Sequence, residues 1–414
     1  MKLVKCAVTV LLGLAAVGST QADDTTSAHQ FNANLRLNYY QVSKELHQHH
    51  DIVGATGDVK IESDWSESLT SKAEVRWHNP ELDQSVAKPE VLEAFALWRS
   101  EQFDVKLGKQ IVAWGRADGI NPTDNLTPRN YSIQLPFEED QRSGVSALKV
   151  NYFPDTQKTI TFYLTPSFQP SKLPQSQARD IYFLDRQPTP TRSRWPFGLK
   201  FDMRGDQVDW SLSYFRGFKL LPEWQASDSA NTVILHYPKI AVFGADVTVN
   251  LGRYGWRAEL ARVERDEPQT VSGFRSNWML VTGVDRNFYD NLNVNVQLIL
   301  QQNGNVADLA SIAGSNERNM ALVNAIRFNQ ESARKLGSTM RVGKKWLNDT
   351  LETELLVFSY FKPNTSYWRP LLTYSFKDDM KITVGAELYY GKANTYFGSN
   401  KPIQGLFTEL RYIF

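Results

Sequence analysis

Thiols are almost missing from this chain. Its one cysteine, Cys6, stands at the edge of an N-terminal apolar run. Disulfide-stapled scaffolds and thiol enzymes are therefore excluded for everything that follows that run. An excess of one charge is also missing. The 46 Lys and Arg against 45 Asp and Glu leave a net +1, so no bulk field points to nucleic acid. Mean hydropathy is −0.41, and past the N-terminus no stretch nears the ~18 apolar residues of a membrane helix. Neither GxSxG nor HExxH occurs, and a rim histidine such as His78 near Glu74 and Asp83 reads as a wall residue, so no enzyme is expected. Repeats, linkers and low-complexity tracts are lacking, which predicts a single domain.

What is present begins with an address. Lys2 and Lys5 precede the apolar run Cys6 to Val17, and small residues and TQA follow. That is the pattern of a secretory signal peptide over residues 1–22, cleaved after Ala22, with a domain over 23–414. Aromatics make up 12 % of the chain, with 11 Trp and 17 Tyr. A polar, exported, aromatic-rich chain without thiols is a candidate outer-membrane barrel of a Gram-negative bacterium.

Barrel strands must alternate between lipid and lumen. Phe31, Ala33, Leu35, Leu37 and Tyr39 share one face against Asn32, Asn34, Arg36 and Asn38. Leu69–His78, Leu292–Gln301 and Lys381–Tyr390 repeat the pattern. Such segments come in pairs joined by short turns, at Ser66–Ser68, Ser100–Gln102, Arg204–Gln207, Leu347–Asp349 and Lys377–Asp379. Longer segments separate the pairs: Lys44–Ala55, Asn79–Pro89, Gly115–Arg142, Phe168–Arg194, Lys219–Ala230, Asp266–Ser276, Gln302–Lys335, Lys362–Tyr367 and Gly391–Gln404. Short turns at one end and long loops at the other are the rule for these barrels. At the C-terminus Leu406, Thr408, Leu410, Tyr412 and Phe414 alternate up to a terminal aromatic. This resembles the assembly signal that the barrel assembly machinery reads, with Tyr412 and Phe414 as its aromatics.

Nineteen segments have strand character, but both ends of a single-chain barrel lie on one side, so the count must be even. Asn319–Phe328 is the weakest, with Met320, Val323 and Ile326 at helical spacing, and is assigned to a helix inside a loop. The fold expected is an all-β transmembrane antiparallel barrel of about 18 strands, with 16 possible, and one or more loops folded inward.

Gly115–Arg142 is the candidate site. Asn121-Pro-Thr-Asp124 and Thr127-Pro-Arg-Asn130 are successive turn signals, and the loop carries Arg116, Asp118, Asp124, Arg129, Glu138, Asp140 and Arg142. A loop folded into the lumen needs such ordered chemistry, and charges at a constriction select solutes. The plainer alternative is a latch whose charges pair with the lumen wall, represented by Arg36, Lys72, Glu74 and Arg76. Trp77, Trp98 and Trp114 are expected near strand ends, at the membrane interface. The inward faces mix Arg36, Lys72, Arg76, Lys200, Arg257 and Arg341 with Glu74, Asp202, Asp209, Glu259, Glu352, Glu354 and Glu387, so no strong ion preference is expected.

Leu107–Leu126, LGKQIVAWGRADGINPTDNL, resembles the LGRQ…WG…INPTD segment of proteobacterial outer-membrane barrel proteins of unknown function, with Lys109 where Arg is often seen. His236–Glu264 is similar to the same group. The resemblance implies a porin-like barrel. Because some related families accompany resistance-nodulation-division exporters, it also implies a possible export-system partner and apolar or lipid-like cargo.

His47, His49 and His50 are weak metal candidates, with only Asp51 as an acidic neighbour; a solvated loop is the plainer reading, and no cofactor is expected. Arg186, Arg192 and Arg194 are placed to meet lipopolysaccharide phosphates or simply water. The function expected is passive passage of small solutes through a lumen narrowed by residues 115–142. The alternative is a non-conducting barrel serving envelope assembly or export.

Overall fold

The computed structural model describes residues 28–414, except 47–48, 79–87, 133–135, 174–180, 192–193, 230, 290 and 307. The proposed signal peptide, the segment 79–87 and His47 lie outside the described residues.

Twenty-one strands are present among the described residues, numbered here in chain order. The first seven are β1 (Ala28–Leu46), β2 (His49–Asp64), β3 (Leu69–His78), β4 (Lys88–Arg99), β5 (Phe103–Gln110), β6 (Val145–Tyr152) and β7 (Lys158–Leu164). Next come β8 (Tyr182–Arg186), β9 (Phe197–Met203), β10 (Val208–Phe218), β11 (Glu223–Ala226), β12 (Thr232–His236), β13 (Lys239–Leu251) and β14 (Tyr254–Arg265). The last are β15 (Asn277–Asn287), β16 (Leu292–Asn303), β17 (Arg334–Trp346), β18 (Leu351–Phe361), β19 (Asn364–Lys377), β20 (Met380–Tyr390) and β21 (Gly405–Ile413). Eighteen of them pair antiparallel with their neighbours, and β21 pairs with β1, so the sheet closes and has no edge. The other three, β8, β11 and β12, form a small sheet among the long loops.

The molecule is inside out relative to a soluble domain. On β16 the outward Leu298 and Leu300 are 52 % and 50 % exposed, while the inward Gln297 is 2 % exposed. Leu107, Leu199, Leu212 and Leu406 are exposed on other strands, whereas Arg36, Arg76, Asn295 and Glu409 are buried. Only a hydrocarbon solvent makes that arrangement favourable at about 25 cal/mol per Å² of apolar surface. Trp98, Trp210 and Trp346 are exposed near the short-turn end, where an aromatic girdle belongs.

Two expected loops are not loops. Residues 44–55 are mostly strand, because β1 and β2 pair in register from Ala28↔Asp64 to Gln41↔Asp51 and again at Leu46↔His49. At 19 and 16 residues these strands outrun the ~9–11 needed to cross a bilayer. Beyond the bilayer the outward face no longer has to be apolar, so the alternation that reveals a strand is lost. His49 and His50 therefore open β2 rather than lie in a loop. Lys362–Tyr367 shrinks to the turn Lys362-Pro363, and β19 begins at Asn364. The helical reading of the weakest segment agrees with α1 (Ser315–Arg327), which lies between β16 and β17.

Candidate functional site

Residues 111–144 connect β5 to β6, adjacent strands, yet they touch strands around the circumference. The turns set the path. Gly115 has φ 98°, and a Cβ there would stand 2.6 Å from Glu259 Oε2. Glycine is required on both counts: positive φ and close approach. Asp124 N donates to Asn121 O at 3.1 Å, closing the Asn-Pro-Thr-Asp turn.

Glu259 on β14 is the principal anchor. It is fully buried and accepts from the backbone N–H of Arg116 at 3.0 Å, Ala117 at 3.1 Å and Thr123 at 2.8 Å, and from Thr123 Oγ1 at 2.8 Å. Beside it the Arg116 guanidinium faces Asp246 at 2.5 Å, Asp209 at 3.4 Å and Asp202 at 3.5 Å. The wall met by this part of the loop is acidic, and the loop brings it a cation.

The other end meets a basic wall and brings it an anion. Asp140 binds Arg36 at 2.5 and 3.0 Å and faces Arg411 at 3.4 Å, while Arg76 donates to its carbonyl. Asp58 bridges Arg76 at 2.5 Å and Arg36 at 3.7 Å. Burial opposes ionisation of Asp140, but the Arg36 hydrogen bond and the charges of Arg36, Arg411 and Arg76 outweigh it. Its carboxyl is held below the usual range. Between the ends, Asp118 meets Arg341 at 3.0 Å, and Arg369 donates to Pro136 O at 2.9 Å.

Apolar side chains complete the docking. Trp114, Val112 and Leu126 pack with Tyr163, Phe215, Ile240 and Val242 on the inner wall. Ala117 and Ile120 pack with Val281, Ile299, Tyr360 and Phe397. Phe137 meets Tyr40 and Phe407. Burying an indole removes about 150–250 Å² from water, a gross gain of roughly 4–6 kcal/mol. Trp114 is thus a plug residue and not the interfacial ring expected, because the chain leaves the membrane surface at Gln110 and turns inward.

Each of the seven candidate charges has a partner. Arg142 pairs with Asp124 at 2.6 Å and Arg129 with Glu138 at 3.4 Å, both within the loop. Of the four wall residues, Arg36 and Arg76 hold the loop. Lys72 instead joins Glu74 at 2.8 Å and Glu93 at 2.5 Å, and Glu93 accepts from Ile111 N at 2.8 Å. Sequence reading placed Glu259, Asp202 and Asp209 on inward faces but missed Asp246, Asp58 and Glu93. It also missed the sorting of charge, acidic around Arg116 and basic around Asp140. Strand neighbours in space, not in sequence, produce that sorting.

One further cluster lies at the long-loop rim. Glu223, His236 and Glu267 bring their ligand atoms within 4.8 Å of one another. Arg265 already fills that centre, at 2.7 Å from Glu223 and 2.8 Å from Glu267, and His236 lies 2.7 Å from Glu267. Its guanidinium supplies the cation, so the cluster is a clasp between the small sheet and the barrel. The side chains of His49 and His50 are not among those described. Tyr412 and Phe414 stack edge to face at 4.6 Å, and Phe414 N donates to Ala33 O at 2.8 Å where the barrel closes.

Fold and site together define a class: a closed eighteen-stranded antiparallel barrel whose lumen is crossed by an anchored loop. Solved structures of this fold include OccAB4 of Acinetobacter baumannii, at TM-score 0.58 and 9 % identity over 94 % of this chain and 98 % of that one. The outer membrane protein opdK from Pseudomonas aeruginosa is similar at TM-score 0.56 and 10 % identity, over 94 % and 98 % of the two chains. OccD3 (OpdP) of Pseudomonas aeruginosa is similar at 0.55 and 9 %, over 94 % and 91 %. No family model and no curated protein matches the chain.

Proposed function

We propose that this protein is a passive channel of the Gram-negative outer membrane for small polar solutes, narrowed by residues 111–144. The observation that carries this reading is the loop itself. It crosses a polar lumen with its cation set in an acidic wall and its anion in a basic one. A solute passing such a loop meets fixed charges of both signs across a short distance, which orients dipolar molecules and slows apolar ones. Diffusion supplies the driving force, and no chemistry is required of the wall.

The membrane placement is supported by the exposed apolar belt and by the likeness in fold to a protein described as an outer membrane protein. Tyr412 and Phe414 suit recognition by the barrel assembly machinery, and the exposed Arg186 and Arg194 suit lipopolysaccharide phosphates. The LGKQ…INPTD resemblance supports a porin-like barrel.

A second reading has its own observation. Tyr396 N, on the 391–404 loop, donates to Glu331 on the 304–333 loop at 2.6 Å, and Phe397 packs on Tyr360 above the inward loop. Stacked loops of this kind suit a non-conducting barrel that partners an envelope assembly or export system. Single-channel recording of the refolded protein in a planar bilayer separates the two. Steady openings whose size changes in Arg116→Ala support the channel. A folded barrel that stays silent when residues 116–129 are deleted refutes it.

A further inference from the structure

We propose that the short-turn rim between β13 and β17 seats the phosphate of an inner-leaflet glycerophospholipid. The inference rests on the membrane placement proposed above. On β15 Asp285 points to the lumen, so Arg286 points outward, and its guanidinium is sandwiched between Tyr254 at 4.6 Å and Phe288 at 4.5 Å. In the neighbouring turn Arg253 lies over Tyr289 at 5.3 Å and donates to its hydroxyl at 3.0 Å. Two strands on, the outward Lys344 stands 4.0 Å over Trp346. Between the first two cations lies a hollow of about 380 Å³, bordered by Arg253, Asp285, Arg286, Asn287, Phe288 and Tyr289.

Charge balance points to the occupant. Among the described residues, none of these three cations has a carboxylate partner within ion-pair distance. Asp285 borders the hollow but is engaged by Arg257 at 3.2 Å. At the opposite rim two outward arginines are neutralised, Arg216 by Asp266 at 2.7 Å and Arg262 by Glu264 at 3.2 Å, while Arg334 donates to Gln302 at 2.8 Å. These cations, without a carboxylate partner among the described residues, lie at the level of inner-leaflet headgroups, held on aromatic faces that strip part of their hydration. Leu251 is exposed beside Arg286 and Val284 lies two residues further into the membrane face, which suits an acyl chain above a phosphate. A phosphodiester supplies both the anion for the guanidinium forks and the apolar tail for that flank.

The test is native mass spectrometry of the full protein in micelles, offered phosphatidylglycerol. The wild type is expected to retain lipid. The triple variant Arg253→Gln, Arg286→Gln, Lys344→Gln is expected to bind it about a hundredfold more weakly, at roughly fivefold per cation. Arg99→Gln, at the same rim but away from the cluster, is the control and should bind as the wild type does. Equal retention by the triple variant overturns the proposal. So does displacement of the lipid by millimolar inorganic phosphate, which would mark a simple anion site. Channel conductance should not change in the triple variant, so this test fails separately from the channel reading. A wild type that does not fold in micelles refutes the membrane placement and this seat with it.

Discussion

Replacing Glu259 by alanine removes the acceptor for three backbone N–H groups and one hydroxyl at a fully buried position. An orphaned buried donor costs about 1–3 kcal/mol, so keeping the loop docked would cost roughly 4–12 kcal/mol. That matches or exceeds the roughly 4–6 kcal/mol gross that burial of Trp114 provides nearby. The loop is therefore expected to leave the wall and hydrate. The strand ladders do not depend on it, so the barrel should stay closed. Two readouts follow: trypsin gains access to Arg116 and Arg129, and single-channel conductance rises with larger open-state noise. Glu259→Gln keeps one carbonyl oxygen, which serves about two of the four donors, and should show an intermediate effect. An alanine variant with wild-type protease resistance and wild-type conductance would refute the claim that Glu259 holds the loop.

Three other outcomes are expected. Gly115→Ala forces a side chain into positive φ and against the Glu259 carboxylate, so it should release the same segment and raise trypsin sensitivity, at a cost of about 1–3 kcal/mol. The Asp140 carboxyl is held below its ordinary value, so its contribution is present above the unfolded value near 4 and is lost as pH falls through the depressed one. Protease sensitivity of the 129–142 segment should thus rise only in acid below about pH 4, and Asp140→Asn should show it at neutral pH. Leu298→Lys puts a cation on the lipid face near mid-strand and should cost about 2–4 kcal/mol in urea titration of the bilayer-folded protein; a neutral effect would argue against that face meeting lipid.

The barrel was legible because its solvent is unusual. A strand between lipid and water has to alternate, and Leu292–Gln301 does so without a break until Ile299, which faces inward. That exception is covered by Ala117 of the inward loop, a contact no periodicity can reveal. The alternation failed as a guide where strands leave the bilayer, at His49–Asp51, and where turn formers sit inside a strand, at Asn364–Ser366. The inward loop announced itself through its turns and charges. Its partners did not, since Glu259 and Thr123 are 136 residues apart. The segments Leu107–Leu126 and His236–Glu264 hold the two halves of this single anchor.

That separation has a consequence for how the molecule is made. The loop and β14 are 136 residues apart, so the loop cannot dock, and its backbone donors stay unmet, until β14 has joined the sheet. Once Glu259 is in place the loop becomes a strut across a hollow cylinder. A thin-walled ring deforms most easily into an oval, and a cross-member tied to opposite arcs removes that soft mode. The cross-section of the barrel, and with it the gauge of anything that threads it, is then set by one tie beam and not by the hoop of strands alone.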